Sequence, residues 1–208
     1  LRPGDAFHDI GANVGTFSLL AAAAGLDRIH AYEPDARARA WLLRNLQLNG
    51  LGSRVAVHGF AVGDRDGEVA FTRGLDVVNH VLDDEAAPGA ETLPVRRLDG
   101  VADDAMPFFL KIDVEGYEPQ VLRGCGALLH SPRLLGVLIE CNAENGRAGA
   151  DADPVRQLTE AGLQPCRYDA LSRSLQVLDV LPVARGGNLL LLRSPDQVQA
   201  RIAMAPAF

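Results

Sequence analysis

The sequence has 208 residues, of which 48% are hydrophobic and 5% aromatic, and its formal net charge is −7. This length suffices for one domain with a mainly aliphatic core, and no apolar run approaches the roughly 18 residues of a membrane span. The acidic balance argues against a nucleic-acid substrate, because contact with phosphates requires a basic face.

The cysteines and the first residues bear on the cellular compartment. Cys125, Cys141 and Cys166 are odd in number and widely spaced, so they predict neither a disulfide framework nor a zinc site. The opening residues Leu1 to Asp5 lack the basic and apolar regions of a signal peptide. These features predict a reduced, cytoplasmic protein.

The first sixty residues alternate between strand and helix patterns. Asp35 is the expected cap of the second helix, and Asn49-Gly50 its stop. Alternation of this kind predicts an α/β fold with a parallel sheet and helices on both faces. The predicted strands are Ala6–Ile10, Arg28–Tyr32 and Val55–His58, and the predicted helices are Thr16–Ala24 and residues 36–48.

The middle of the chain departs from this alternation. Residues 61–67 are predicted to form a turn and Glu68–Thr72 a strand, which together indicate a β-hairpin insertion. Residues 74–94 are acidic and poorly periodic. A short strand at Pro94–Arg97 and a short helix from Leu98 are expected to follow.

The alternating pattern then resumes, and we expect one domain over residues 1–208. The predicted strands are Pro107–Ile112, Leu134–Glu140, Leu163–Tyr168, Leu175–Leu178 and Asn188–Arg193, and the predicted helices are Glu118–Leu129 and Pro154–Ala161.

A glycine turn follows the first strand in the run Asp9-Ile-Gly-Ala-Asn-Val-Gly15, and Glu33-Pro34 ends the second strand. Glycine allows a ligand to approach the backbone, and an acid at the neighbouring strand end can accept both hydroxyls of a ribose. Gly11 and Gly15 are four apart, with Asn13 between them and Thr16 where a third glycine of G-x-G-x-x-G might stand. This spacing favours a nucleoside with a small charged tail, such as S-adenosylmethionine, over a pyrophosphate.

Structural roles remain open for the same turn. Asp9 could satisfy turn amides, Glu33 could cap the next helix, and Asn13 could simply tolerate positive φ.

A second cluster of charge lies in the run Leu110-Lys-Ile-Asp-Val-Glu-Gly-Tyr-Glu118. Lys111 and Asp113 are two apart and share one face of a strand. Lys111 is the only lysine among twenty basic residues, which suggests a position where the rigid guanidinium of arginine does not fit. The pair is either a structural ion pair or lies beside a reactive centre. Glu115 and Glu118 could be solvated acids at a helix start.

Several short motifs together resemble the FkbM family of S-adenosylmethionine-dependent methyltransferases, and the likeness spans about residues 5 to 193. The run from Leu110 to Gly116 is the most specific of them. The others are Asp9-x-Gly-x-Asn-x-Gly15, Tyr32-Glu-Pro34, Asn45 to Gly50, Ala61-Val-Gly-Asp64 and Arg97-Leu-Asp99.

The resemblance implies a class I, Rossmann-like fold with a seven-stranded sheet and one antiparallel strand. It also implies O-methylation of hydroxyls on sugars, lipids or secondary metabolites. Phe60 and Ala61 would then adjoin the adenine and Glu33 the ribose, while Asp113 would lie near the transferred methyl. The expected cofactor-binding residues are Asp9, Gly11, Asn13, Gly15, Thr16, Glu33, Pro34, Phe60, Ala61 and Asp113.

Methyl transfer to an alcohol needs the oxygen in line with the S–CH₃ bond and a group that removes its proton. We expect Asp113 to act as the base or as a metal ligand, with Lys111 orienting it. Glu140 and the loop histidine His80 are the other catalytic candidates. A magnesium ion held by Asp113, Glu115 and Glu140 is a further expectation, since clustered carboxylates suit a hard cation.

Three alternatives differ in function class. A dinucleotide-dependent oxidoreductase would need a closer glycine pair. A non-catalytic module would bind the cofactor without methylating any acceptor. Methylation of nitrogen in DNA or protein is disfavoured, because the fourth strand is not followed by an Asn/Asp-Pro-Pro-Tyr motif. The partner is expected to be a small-molecule hydroxyl acceptor, with no nucleic acid and no membrane span; the sequence leaves the oligomeric state open.

Overall fold

The computed structural model describes residues 1–71, 81–82, 91–100, 109–141, 153–179 and 187–205. The strands in these ranges are β1 (Ala6–Ile10), β2 (Arg28–Tyr32), β3 (Val55–His58), β4 (Ala61–Val62), β5 (Gly67–Phe71), β6 (Val81–Leu82), β7 (Glu91–Arg96), β8 (Phe109–Ile112), β9 (Gly136–Glu140), β10 (Gln164–Asp169), β11 (Ser174–Val177) and β12 (Asn188–Leu192). The α-helices are α1 (Thr16–Ala23), α2 (Ala36–Leu48), α3 (Glu118–Gly124), α4 (Gly126–Leu129), α5 (Pro154–Glu160) and α6 (Pro195–Met204), and residues 98–100 form a 3₁₀ turn.

The main sheet has the strand order β11-β10-β12-β9-β8-β1-β2-β3. From β9 to β3 all neighbouring strands are parallel, as predicted, whereas β12 runs antiparallel to both β9 and β10. The predicted Rossmann-like α/β fold is confirmed.

The expected count of seven strands with one antiparallel is wrong in detail: within the described residues the sheet has eight strands, and β11 and β12 oppose the rest. The extra strand is β11, which forms because the chain reverses at residues 170–173 and pairs with β10. Asp169 accepts the amides of Leu171 and Ser172 at this turn, which makes β10 and β11 an antiparallel hairpin.

The predicted insertion in the middle of the chain is a separate four-stranded sheet, in the order β4-β7-β5-β6. Strand β5 pairs antiparallel with β6 and β7, which confirms the hairpin. The prediction of a turn beginning at Ala61 is wrong, because Ala61 and Val62 form a strand parallel to Val95 and Arg96. Partners more than thirty positions away define this strand, so the local turn residues did not reveal it.

Apolar side chains bury both faces of the main sheet. On one face α1 and α2 pack on β1 and β2 through a cluster that includes Phe7, Ile29 and Leu42. On the other face a larger cluster includes Ile112, Val121 and their neighbours on β9 and α3. Each fully buried side chain of this kind contributes about 1.5–3 kcal/mol, and the helices therefore hold the strand ends in fixed positions.

Two helices in the carboxyl half of the chain differ from the prediction. The helix expected over Glu118–Leu129 is broken at Cys125 into α3 and α4. Gly124 lies so close to β4 that a Cβ there would come within 1.9 Å of the carbonyl oxygen of Gly63. Helix α6 was not predicted, since no residue in it is buried. Within the described part of the chain, none of the helices is both long and apolar enough to cross a membrane.

Candidate active site

A cavity of about 400 Å³ opens at the carboxyl ends of β1, β2, β8 and β9. Parallel sheets bind their ligands at this edge. The size is within the range of small-molecule sites. The residues that line it are Ile10, Gly11, Ala12, Asn13, Val14, Thr16, Phe17, Tyr32, Glu33, Pro34, Asp35, Ala38, Phe60, Ala61, Val62, Lys111, Asp113, Val114, Glu115, Tyr117 and Glu140.

The glycine turn forms one wall of this cavity. Gly11 has a φ of 75°, and a Cβ on it would lie 1.8 Å from the backbone oxygen of Asp113. Gly15 is left-handed too, and its Cβ would lie 2.2 Å from Leu42 of α2. Between them Asn13 is left-handed at a φ of 50°, a conformation that asparagine tolerates better than most residues. The bare backbone therefore serves close packing on both sides of the turn.

Glu33 faces the glycine turn from the end of β2. Its Oε2 accepts the amide of Asn13 at 2.8 Å, and its Oε1 accepts the amide of Asp35 at 2.8 Å. Glu33 therefore lines the cavity and also bonds the amide of Asp35, the cap of α2. Burial raises its pKa, and the two amide bonds oppose that rise. A carboxylate has about four acceptor sites, so each oxygen retains capacity for a hydroxyl.

Asp9 lies beneath the turn and does not line the cavity. Its side chain is fully buried, and Oδ2 accepts both the amide (3.0 Å) and the hydroxyl (2.7 Å) of Ser18 in α1. Burial raises the pKa of Asp9, which the ammonium of Lys111 and the bonds from Ser18 oppose. Asp9 thus ties α1 to the sheet through Ser18 rather than bonding the amides of the glycine turn.

Lys111 connects the turn to the acidic side of the cavity. Its ammonium donates to the carbonyl oxygen of Gly11 at 2.9 Å, and lies 3.2 Å from Asp113 and 3.5 Å from Asp9. It also lies 5.2 Å from the centre of the Phe17 ring. The ammonium is almost inaccessible, and a compact donor with three hydrogens suits three partners in different directions better than a planar fork.

Three carboxyl groups meet opposite the turn. Single oxygens of Asp113, Glu115 and Glu140 lie within 4.8 Å of one another. Burial, a hydrogen bond to Asp113 and the neighbouring negative charges raise the pKa of Glu140 to about 7. The pKa of Glu140 rises because of burial and because the negative charges beside it, that of Asp113 first among them, oppose its ionisation.

The loop that follows β8 is held from inside. Glu118 is fully buried, and its Oε1 accepts the amides of Val114 and Gly116 at 3.2 Å. The suggestion that Glu118 is a solvated acid at the helix start is therefore wrong. Glu115, which lines the cavity, has a left-handed φ of 50°. The buried acid fixes this loop and so directs Glu115 into the cavity.

Aromatic rings line the opposite end of the cavity. The Phe60 ring meets Tyr32 edge-on at 5.6 Å, and the guanidinium of Arg96 lies 5.0 Å from its centre. Behind Tyr32 a stack of rings continues through His58, at 4.6 Å, to His30, whose Nδ1 is 3.0 Å from Nε2 of His58. Burial lowers the pKa of both histidines. This end presents flat apolar surfaces suited to a purine base.

Most residues singled out in the sequence meet at this one cavity. Neither Asp9 nor Gly15 lines it, and His80 lies outside the described residues. Sequence reasoning missed Asp35 and Tyr117, although Tyr117 directly follows the most specific motif. Those that do line the cavity are Gly11, Asn13, Thr16, Glu33, Pro34, Phe60, Ala61, Lys111, Asp113, Glu115 and Glu140.

Comparisons with known proteins bear on the family and on the fold. A family model described as the methyltransferase FkbM domain matches residues 9–165. Comparison with curated proteins gave no match. Among solved structures, methyltransferase FkbM from Methylobacillus flagellatus KT superposes with a TM-score of 0.60 at 20% identity, over 92% of this chain and 44% of that one.

Two more distant structures share the fold. Ribosomal protein L11 methylase from Lactobacillus delbrueckii subsp. bulgaricus has a TM-score of 0.51 at 12% identity, over 90% of this chain and 69% of that one. Streptococcus pneumoniae Sp1610, solved in complex with S-adenosyl-L-methionine, has a TM-score of 0.50 at 10% identity, over 92% and 67%. The chain spans less than half the length of the Methylobacillus protein.

Proposed function

The chain belongs to the FkbM methyltransferase family, and on that premise we propose that it transfers a methyl group from S-adenosylmethionine to a hydroxyl of a small molecule. The acceptor class we propose is a sugar, a lipid or a secondary metabolite. The three free thiols are consistent with a reducing, cytoplasmic location.

The observation that carries the proposal is the order of groups around the cavity. Aromatic rings at one end suit adenine, Glu33 in the middle suits the ribose, and the turn at Gly11 suits the methionine tail. The acidic group lies beyond the turn, because Asp113 follows β8 and Glu140 ends β9, on the far side of β1 from β2 and β3. A bound sulfonium would place its methyl near a group that accepts protons.

The acidic pair supplies the chemistry that an alcohol requires. The cofactor already carries an activated methyl, so the protein must orient the hydroxyl and remove its proton. Glu140 is the stronger candidate for the base, because a pKa of about 7 matches neutral conditions. Asp113 accepts a hydrogen bond from the protonated form of Glu140, and Lys111 holds Asp113 at 3.2 Å. We assign Lys111 an orienting role.

The same three carboxylates also suit a hard divalent cation such as Mg²⁺ in the kind of donor they offer. Asp113, Glu115 and Glu140 would hold it, and it would lower the pKa of the acceptor hydroxyl. Lys111 already neutralises part of Asp113, and a nearby ammonium weakens the attraction for a cation. We therefore favour base catalysis by Glu140 beside Asp113. A bound Mg²⁺ is the competing proposal for the same site.

The test begins with binding. The wild-type chain should bind S-adenosylmethionine and S-adenosylhomocysteine in calorimetry, and Glu33→Ala should weaken both by at least tenfold. NAD should not bind, and a preference for NAD would instead indicate an oxidoreductase.

Turnover is tested second. A panel of hydroxylated small molecules is screened for release of S-adenosylhomocysteine, with and without a chelator. A non-catalytic module would be favoured if the chain binds the cofactor but releases no S-adenosylhomocysteine with any acceptor, and if Asp113→Asn leaves cofactor binding unchanged. Loss of turnover in chelator that Mg²⁺ restores would favour the metal account.

A further inference from the structure

Arg39, near the start of α2, bonds the segment between β2 and α2 that carries Glu33. Its Nη1 donates to the carbonyl oxygens of both Glu33 and Pro34 at 2.8 Å. Arg39 does not line the cavity, so it supports this turn from behind. Because Glu33 reaches the glycine turn through its side chain, a fixed backbone at Glu33 also fixes the direction of the carboxylate.

The other side of the Arg39 guanidinium rests on Gly59. A Cβ on Gly59 would lie 3.0 Å from Cζ, 3.2 Å from Nε and 3.3 Å from Nη1. Gly59 is not in the left-handed region, so a Cβ at this position would not strain the backbone but would displace the guanidinium slightly. Gly59 immediately precedes Phe60, which lines the adenine end. One guanidinium thus lies between the segments that carry Glu33 and Phe60.

The charge of Arg39 also acts on Glu33. Burial raises the pKa of Glu33, and the amides of Asp35 and Asn13 lower it. The negative charge of Asp35 also raises this pKa, and the positive charge of Arg39 lowers it by a smaller amount. A cation held behind the turn therefore favours the ionised carboxylate, the stronger acceptor for hydroxyl groups.

We propose that Arg39 is a positioning residue for the adenosine half of the cofactor, setting both the direction of Glu33 and the separation between Glu33 and Phe60. This inference rests on the proposed function, because it assumes that the cavity holds S-adenosylmethionine. It assigns no contact between Arg39 and the ligand.

The experiment measures the dissociation constant of S-adenosylhomocysteine by calorimetry between pH 5 and 9. Arg39→Met should raise Kd about tenfold at pH 8, because two charge-assisted hydrogen bonds are lost. The pH below which affinity falls should move upward, since the pKa of Glu33 rises without the cation. Arg39→Lys keeps the charge, so the pH below which affinity falls should return to its wild-type value. Arg44→Met is the control on the same helix, since Arg44 stacks on the exposed Trp41.

A double-mutant cycle tests the separation. Gly59→Ala should raise Kd about threefold without moving the pH limb, because the added methyl shifts the guanidinium but leaves its charge. In the Arg39→Met background, Gly59→Ala should leave Kd unchanged, since no guanidinium remains to be displaced. This non-additivity distinguishes positioning from a general loss of stability.

Each outcome decides the matter. The inference is overturned if Arg39→Met binds as the wild type does with an unmoved pH limb, or if Gly59→Ala costs the same in both backgrounds. Should Arg39→Met fail to fold, Arg39→Lys and Gly59→Ala still decide, and a wild-type Kd in Gly59→Ala overturns it. A folded wild-type protein that binds no S-adenosylhomocysteine refutes the proposed function itself, and this inference with it.

Discussion

Replacing Gly11 by alanine should separate β1 from β8 at the centre of the site. The new Cβ would lie 1.8 Å from the Asp113 oxygen, whereas ordinary contact begins at 3.4 Å, so the strand ends must part by more than 1 Å. Overpacking of this kind costs about 1–3 kcal/mol. The left-handed φ of 75° adds about 1–2 kcal/mol for a residue with a Cβ. We expect the free energy of unfolding to fall by about 3 kcal/mol and cofactor binding to be lost.

The matched control is Gly50→Ala, which has the same backbone conformation without the contact. Gly50 has a φ of 67°, and a Cβ there meets nothing within 4 Å. Urea unfolding should show a loss of about 1 kcal/mol for this variant, with cofactor affinity unchanged. Equal losses for Gly11→Ala and Gly50→Ala, with binding retained in both, would refute the role of close packing at Gly11.

Four further predictions concern the acidic side of the cavity and the small sheet. Lys111→Arg should lower turnover at least tenfold, because a guanidinium cannot reproduce the three directions of the ammonium; full turnover would remove the argument. For the wild type, turnover should rise with pH through about 7 as Glu140 ionises, and Glu140→Gln should abolish that limb. Because the pKa of Glu140 in the folded protein lies above the usual glutamate value of 4.5, Glu140 contributes a small amount of stability at low pH that is lost as pH rises towards 7. This loss is measurable as a lower urea midpoint at pH 8 than at pH 5. Gly124→Ala should destabilise by about 2–3 kcal/mol through its clash with Gly63, while the exposed Gly52→Ala, whose Cβ meets nothing within 4 Å, should unfold at the wild-type urea concentration.

The first β-α-β unit could be predicted from the sequence because its signals are local. Asp35 accepts the Ala38 amide at 2.7 Å, as a helix cap should, and the apolar spacing of α2 gave its length. Strand β4 is defined by its pairing with β7, more than thirty positions away, and Gly124, next to the break at Cys125, meets Gly63 across about sixty positions. No local pattern records such a contact.

The candidate site divides in the same way. Strand ends with polar residues predicted which side chains would meet, and most of them line one cavity. The reach of Lys111 to the Gly11 carbonyl, across one hundred positions, could not be predicted, and neither could the place of Arg39 behind Glu33. Sequence motifs indicate which residues face a ligand, whereas the residues that hold them in place depend on packing between distant segments.

The isolation of Lys111 has a practical consequence for labelling. It is the only lysine of these 208 residues, and its side chain is 4% exposed. Acetylating or succinimidyl reagents therefore find no readily accessible ε-amine on the folded chain, and modification of Lys111 requires its ammonium to leave Gly11, Asp9 and Asp113. The rate at which the Lys111 peptide is modified, read by mass spectrometry apart from the reactive α-amine, would thus time the opening of this region.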